Sequence, residues 1–120
     1  MPRSLVCKVT AGTDAPERCA QGFTVAATAL AAGAQVSLWL TGEAVWLAVP
    51  GRAAQFELAQ SAPLDELLDA VLAGGQVTVC TQCAARRQLA QADFLDGVRV
   101  AGAASFVDEA LAEGAQALVY

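Results

Sequence analysis

The chain has 120 residues, a formal net charge of -5, four cysteines and no histidine. This length predicts a single domain over residues 1–120. The acidic balance argues against a nucleic-acid-binding or anionic-membrane-binding protein, because both kinds of surface need clusters of basic residues. Without histidine, one chain can form neither a Ser-His-Asp triad nor a histidine-ligated metal site.

Hydrophobic residues make up 56% of the chain and charged residues 16%, which is more apolar than an average domain. We therefore expect another subunit to cover part of the surface, with Trp39 and Trp46 near the contact. Ordinary burial of both tryptophans in the core is the alternative. The chain lacks a basic segment followed by an apolar one, and no apolar stretch reaches the roughly 18 residues of a membrane span. These features predict a cytoplasmic protein with reduced thiols.

Predicted strands and helices alternate through the first half of the chain. A strand over residues 5–10 precedes a helix that is capped by Asp14 and stops at Gly33, and a second strand covers residues 35–40. The next segments are a short helix over residues 44–49 and a loop over residues 52–62 that has no clear pattern.

The second half continues the alternation. Its predicted elements are a helix from Pro63 to Gly74, a strand over 77–80, a helix over 82–90, a strand over 98–100, a helix over 105–113 and a strand over 117–120. This alternation predicts an α/β protein, a three-layer α/β/α sandwich around a five-stranded, mostly parallel sheet. The order of the strands does not follow from the sequence.

A Cys-x-x-Cys motif lies where the third predicted strand passes into a helix. Cys80 ends the strand, Thr81 is the predicted N-cap, and Cys83 falls in the first turn. The positive end of the helix, with Arg86 and Arg87 one turn further on, favours the reactive thiolate form of a cysteine. Cys80 is therefore the predicted nucleophile.

The Cys-x-x-Cys motif is also compatible with three different roles. A zinc site needs four ligands, so Cys80 and Cys83 would have to be shared between subunits, since Cys7 and Cys19 are expected inside a strand and a helix. A thioredoxin-type pair normally follows an early strand, and the proline that usually accompanies it has no counterpart here. Inert packing is the third role, because free cysteines are often buried. We predict no metal and no cofactor.

Polar residues follow two other predicted strands. Thr13 and Asp14 come after the first strand, but their surroundings do not form a glycine-rich phosphate-binding loop. Gly42 and Glu43 come after the second strand, at the same edge of a parallel sheet as Cys80. Glu43 is a candidate proton acceptor or donor for the thiol, and a solvated loop residue is the alternative.

The ordered set of these segments resembles the DsrE/DsrF-like family of small sulfur-relay proteins over essentially the whole chain. The resemblance rests on residues 11–14, residues 36–45, Cys80 with Arg86 and Arg87, and residues 97–102, which end in Gly102. It implies an α/β/α sandwich that assembles as a trimer or hexamer, and a cysteine at position 80 that carries a persulfide. Cys83 matches the second cysteine of the family's Cys-x-x-Cys branch. Gln88 stands where the family usually has a glycine.

The sequence thus predicts a homo-oligomeric sulfur-handling protein, a sulfurtransferase-like persulfide carrier with sulfur donor and acceptor proteins as partners. In this hypothesis Cys80 accepts sulfane sulfur and Cys83 is the resolving or assisting thiol. The supporting residues are Thr13, Asp14, Gly42, Glu43, Arg86, Arg87 and Gly102. The alternatives are a non-enzymatic oligomeric module that binds a small ligand or is structural, and a peroxiredoxin-like dithiol protein.

Overall fold

The computed structural model describes residues 3–120. The strands are β1 (Ser4–Val9), β2 (Gln35–Leu40), β3 (Gln76–Cys80), β4 (Val98–Ala101) and β5 (Ala115–Val119). The α-helices are α1 (Pro16–Ala31), α2 (Leu64–Gly74), α3 (Thr81–Arg86) and α4 (Ala103–Ala110), and short 3-10 helices cover Gly42–Ala48, Ala53–Gln55 and Gln91–Asp93. None of the helices within residues 3–120 is long and apolar enough to cross a membrane.

The five strands form one sheet in the order β4-β3-β2-β1-β5, and all four neighbouring pairs are parallel. The α/β prediction is confirmed, with every strand parallel. Because parallel strands point the same way, the residues that follow β1, β2, β3 and β4 meet at one edge of the sheet, where α/β proteins build their sites.

The main apolar core lies on the sheet face covered by α1 and α2. Side chains of the central strands, such as Cys7, Leu38 and Val77, are fully buried there against Phe23 and Leu68. Phe23 and Leu68 come from the apolar stripes of α1 and α2, which repeat at helical spacing. Together these contacts fix the sheet from which the strand ends emerge.

The opposite face of the sheet is more polar. Lys8, Trp39, Thr78 and Arg99 occupy neighbouring register positions on β1, β2, β3 and β4. Trp39 is only 1% exposed, and its ring meets Phe106 of α4 edge-on with centroids 5.4 Å apart. The expectation that Trp39 contacts another subunit is therefore wrong, because α4 of the same chain covers it.

A single carboxylate of α4 connects that helix to the sheet. Glu109 accepts hydrogen bonds from the Ser37 hydroxyl and from Trp39 Nε1, the latter at 3.0 Å, and forms an ion pair with Arg99. Burial of the Glu109 carboxyl opposes its ionisation, but the hydrogen bonds from Ser37, Trp39 and Arg99 and the Arg99 charge outweigh burial and lower its pKa. This polar network attaches α4 to its face of the sheet, as the apolar core attaches α1 and α2 to the other face.

Several helix boundaries differ from the sequence prediction for local reasons. Ala15, and not Asp14, is the N-cap of α1, because the Asp14 carboxylate accepts the Gly12 N–H at 2.8 Å instead. Thr81 is the first residue of α3 and Cys80 its N-cap, so Thr81 does not cap that helix. The last helix, α4, begins and ends earlier than predicted, and β5 already begins at Ala115.

The helix predicted over residues 82–90 ends at Arg86. The cause is Gln88, whose φ of 58° lies in the left-handed region that favours glycine. Beyond this residue the Leu89 N–H bonds back to the Ala84 carbonyl at 3.0 Å, which closes the end of the helix. The same position is the one where related sequences are expected to carry glycine.

Replacing Gln88 with glycine is expected to stabilise the protein. Glycine adopts φ near +60° without the steric cost of a Cβ atom, which is about 1 kcal/mol, and its greater freedom in the unfolded chain offsets part of the gain. We expect the free energy of unfolding to rise by roughly 0.5 kcal/mol in urea denaturation. The control is Ala85→Gly, at an exposed position inside α3, which should lower stability by about 1 kcal/mol. An equal decrease in the free energy of unfolding in Gln88→Gly and Ala85→Gly would contradict the prediction.

Candidate functional site

Cys80 is the last residue of β3 and is half-buried. Burial of its thiol opposes ionisation, but hydrogen bonds from the backbone and side chain of Cys83, a hydrogen bond from the backbone of Gln82 and the charge of Lys8 lower its pKa below the ordinary value of 9.0. The two backbone N–H groups come from the first turn of α3, where such groups have no partner within the helix. A lowered pKa means more thiolate, the nucleophilic form.

Lys8 is the residue of this site that the sequence analysis does not predict. It lies on β1, two strands away from Cys80, on the same polar face of the sheet as Thr78. Its ammonium group stands 4.7 Å above the centre of the Phe106 ring, an arrangement that holds a cation in place. The sequence did contain one indication of this role. Lys8 lies between Cys7 and Val9, and a lysine between buried residues of a strand is normally held by specific contacts.

Cys83 lies in the first turn of α3 and is half-buried, and its side chain is one of the groups that lower the pKa of the Cys80 thiol. The Nη1 atom of Arg86 is 3.9 Å from the Cys83 sulfur, so this guanidinium faces the second cysteine of the motif. Arg87 donates a hydrogen bond to the Cys83 carbonyl at 3.0 Å. Arg86 thus lies beside Cys83, and the charge that lowers the pKa of the Cys80 thiol comes from Lys8.

Glu43 and Arg87 form an ion pair across the strand ends. Nε and Nη2 of Arg87 are 2.9 Å and 2.8 Å from Oε2 of Glu43. Glu43 belongs to the 3-10 helix after β2 and Arg87 to the end of α3, so the pair joins the loops on either side of the Cys-x-x-Cys motif. The contacts of the Glu43 side chain are thus made with Arg87.

The remaining predicted residues line the same edge of the sheet without contacting the thiols. Thr13 and Asp14 are exposed in the loop after β1. Gly42 has a φ of 55°, and a Cβ atom there would lie 2.6 Å from the Thr10 carbonyl oxygen, so only glycine fits this turn. Gly102 follows Ala101, the residue of β4 that pairs with Cys80, and caps α4.

The other two cysteines belong to the core. Cys7 and Cys19 are fully buried, and burial raises their pKa values to about 11 and about 12, helped for Cys19 by the Asp14 charge. Such thiols remain protonated and unreactive in the folded protein. Within residues 3–120 no group of three histidine, cysteine, aspartate or glutamate side chains is placed to hold a metal ion.

Replacing Lys8 with methionine is expected to slow alkylation of Cys80. Methionine can still pack on Phe106, but the loss of the charge raises the pKa of the thiol, so less thiolate is present near pH 7. We expect the iodoacetamide rate at Cys80, followed by peptide mapping, to fall roughly two- to fivefold near neutral pH and to approach the wild-type rate above about pH 10. Arg18→Met, on the exposed side of α1, is the matched control. A decrease that persists at high pH would indicate altered access instead.

Several solved structures share this fold. The YchN protein of Escherichia coli aligns with a TM-score of 0.80 at 16% sequence identity, over 100% of both chains. MTH1491 of Methanobacterium thermoautotrophicum, a protein of unknown function, aligns with a TM-score of 0.73 at 11% identity, again over 100% of both chains. No curated protein matches the chain.

Similarity at such low identities shows the fold alone, so the family rests on the sequence. The DsrE/DsrF-like family matches residues 4–120. This range contains all five strands and the whole strand-end site, with the Cys-x-x-Cys motif at its third strand. The chain therefore belongs to the DsrE/DsrF-like family.

Proposed function

We propose that this protein is a cytoplasmic sulfur carrier in which Cys80 accepts sulfane sulfur as a persulfide and passes it to an acceptor. The observation that supports this role most directly is the surroundings of Cys80, whose accessible thiol has a lowered pKa at the end of a central strand. Membership of the DsrE/DsrF-like family suggests sulfur relay at the level of the family.

The proposed chemistry needs only thiolate exchange at sulfur. The Cys80 thiolate attacks the outer sulfur of a donor persulfide, the donor's S–S bond breaks, and its electron pair leaves on the donor's inner sulfur as a thiolate. Cys80 then carries the outer sulfur. A second step is open to Cys83, whose thiolate attacks the Cys80 sulfur, forms the Cys80-Cys83 disulfide and releases the outer sulfur as hydrosulfide.

Intact-mass spectrometry of the reduced protein after treatment with inorganic polysulfide tests this function. We expect a population that carries one added sulfur atom, and we expect a dithiol such as dithiothreitol to remove it. A peroxiredoxin-like dithiol protein would instead form the Cys80-Cys83 disulfide rapidly with hydrogen peroxide and retain no added sulfur. Absence of the added sulfur at every polysulfide concentration would contradict the proposal and favour a binding or structural module.

We also propose that the protein works as a homo-oligomer. Support comes from the exposed apolar side chains of Val107 in α4, Leu111 at the C-cap of α4 and Val119 in β5, which are 47%, 80% and 63% exposed. Val107 and Leu111 are four residues apart and therefore share one face of the helix, and Val119 belongs to the strand that α4 leads into. Large apolar side chains clustered in this way are typical of a surface that another subunit covers.

Replacing Leu111 with glutamate is expected to dissociate this oligomer. A charge in the middle of an apolar contact must be desolvated, which costs several kcal/mol. We expect size-exclusion chromatography with light scattering to show the mass of a single chain for Leu111→Glu and a multiple of it for the wild type. Gln21→Glu, an exposed substitution on α1, should keep the wild-type mass. A wild-type protein that is monomeric at micromolar concentration would overturn the proposal.

A further inference from the structure

A second feature of the strand-end edge is a cavity of about 230 Å³ whose lining includes Glu43, the partner of Arg87. The lining comes from three segments, which are the loop after β1 with Thr13, the 3-10 helix after β2 with Glu43, Trp46 and Leu47, and the following segment with Arg52, Gln55 and Phe56. Its volume is below the roughly 300–1,000 Å³ of sites for drug-sized ligands. The cavity therefore suits a molecule of about the size of an amino acid.

The cavity contains one cation and one anion beside apolar walls. The Arg52 guanidinium stacks 4.6 Å from the centre of the Trp46 ring, which holds it in position while its N–H groups point along the plane of the guanidinium. No carboxylate within residues 3–120 forms a salt bridge with Arg52. Arg52 is thus available to bind a carboxylate in two-point fashion.

Glu43 supplies the opposite charge. Both contacts from Arg87 go to its Oε2 atom, and Oε1 accepts no hydrogen bond from the part of the chain between residues 3 and 120. One oxygen of this carboxylate is therefore free to accept an N–H group of a bound molecule. A cavity with a free guanidinium and a half-free carboxylate is complementary to a small zwitterion.

The same carboxylate connects the cavity to the thiols. Arg87, which binds Glu43, also donates to the Cys83 carbonyl, and the register of β2 and β3 pairs Leu40 with Val79, the residue before Cys80. A molecule that contacts Glu43 in the cavity is thus connected to the Cys-x-x-Cys motif through the Glu43–Arg87 pair. A donor site for the motif requires a connection of this kind.

We propose that this cavity binds the sulfur donor and that the donor is an α-amino acid persulfide, with cysteine persulfide as the simplest member. This inference rests on the proposed function of Cys80. Arg52 binds the donor's carboxylate, and Oε1 of Glu43 accepts from its ammonium group. The Cys80 thiolate attacks the outer sulfur, the S–S bond of the donor breaks, and free cysteine leaves as the thiolate with the electron pair on its sulfur.

Binding is tested first with S-methyl-L-cysteine, which has both charges but cannot transfer sulfur. The indole N–H signals of the two tryptophans are followed by NMR and assigned with Trp46→Phe. We expect a saturable shift of the Trp46 signal and none of the Trp39 signal, with affinity at least tenfold weaker in Arg52→Ala and unchanged in Arg18→Ala. Analogues that lack the ammonium or the carboxylate group should bind at least tenfold more weakly. No saturable shift in the wild type would overturn the donor site.

Transfer is tested with two donors, cysteine persulfide and inorganic polysulfide, the second of which carries no amino acid. The measured quantity is the ratio of the two rates of sulfur addition to Cys80. We expect Arg52→Ala to lower this ratio at least tenfold relative to the wild type and to Arg18→Ala. An unchanged ratio, with sulfur still added from polysulfide, would contradict the donor site alone, whereas no addition from either donor would contradict the proposed function itself.

Discussion

Replacing Cys80 with serine is expected to abolish sulfur uptake completely. Serine keeps the size of the side chain, but its hydroxyl is neither ionised near neutral pH nor able to form a stable persulfide. Cys83→Ser is the matched variant, because it removes the other thiol of the same motif. It should still take up one sulfur atom, and it should hold that atom longer, since the step that releases hydrosulfide needs Cys83.

The measurement is a time course of intact mass for wild type, Cys80→Ser and Cys83→Ser after the donor has been removed. Retention in Cys83→Ser, gradual loss in the wild type and no uptake in Cys80→Ser is the expected pattern. Because loss of the Cys83 thiol also removes one of the influences that lower the pKa of Cys80, we expect slower uptake in Cys83→Ser near neutral pH. Uptake by Cys80→Ser equal to that of the wild type would disprove the assignment of the primary thiol.

Replacing Glu109 with alanine is expected to lower the free energy of unfolding by about 2 to 3 kcal/mol. The substitution leaves the Ser37 hydroxyl, Trp39 Nε1 and the Arg99 guanidinium without their shared acceptor. This expected loss is smaller than the roughly 3 to 5 kcal/mol that breaking a fully buried ion pair costs. The reason is that the side chains of Arg99 and Glu109 are 36% and 23% exposed, so solvent screens their charges. Asp108→Ala, an exposed neighbour on α4, should change stability by less than about 0.5 kcal/mol.

The effect of Glu109 should also depend on pH. Its folded pKa is lowered below the ordinary value of 4.5, so its contribution to stability is fully present above that value and is lost as the pH falls through 4.5 and then through the folded pKa. Urea denaturation at neutral pH and at about pH 3 should therefore show a smaller difference between wild type and Glu109→Ala at the lower pH. A difference of the same size at both values would mean that packing, and not the carboxylate, stabilises α4.

The parts of the fold that repeat a local pattern could be predicted from the sequence. The second strand, Gln35–Leu40, has the predicted bounds, because its apolar residues and a following Thr-Gly turn define it locally. The order of the strands could not be predicted, since it depends on where each crossover returns to the sheet. Gln88 illustrates a second limit, because only the left-handed turn at this residue shows why α3 ends earlier than predicted.

The Cys-x-x-Cys part of the candidate site could be predicted from the local sequence. The residues that reach the site from distant parts of the chain could not. Cys80 and Cys83 follow from a motif at a strand end. Lys8 acts on Cys80 from two strands away, and Arg52 contributes to the cavity from a segment without a predictable pattern. Such contributions depend on which strands are neighbours and how a loop folds back, which sequence spacing does not encode.

The reactivity of the two buried cysteines measures how often the core of the folded protein opens. Cys7 lies on a central strand and Cys19 on the helix that covers it, and both thiols are shielded from solvent while the core is intact. A thiol reagent should therefore count two groups in the native protein and four only after the core has opened. The rate at which the third and fourth groups react follows the population of opened molecules without denaturant, so stability and thiol chemistry can be read in the same sample.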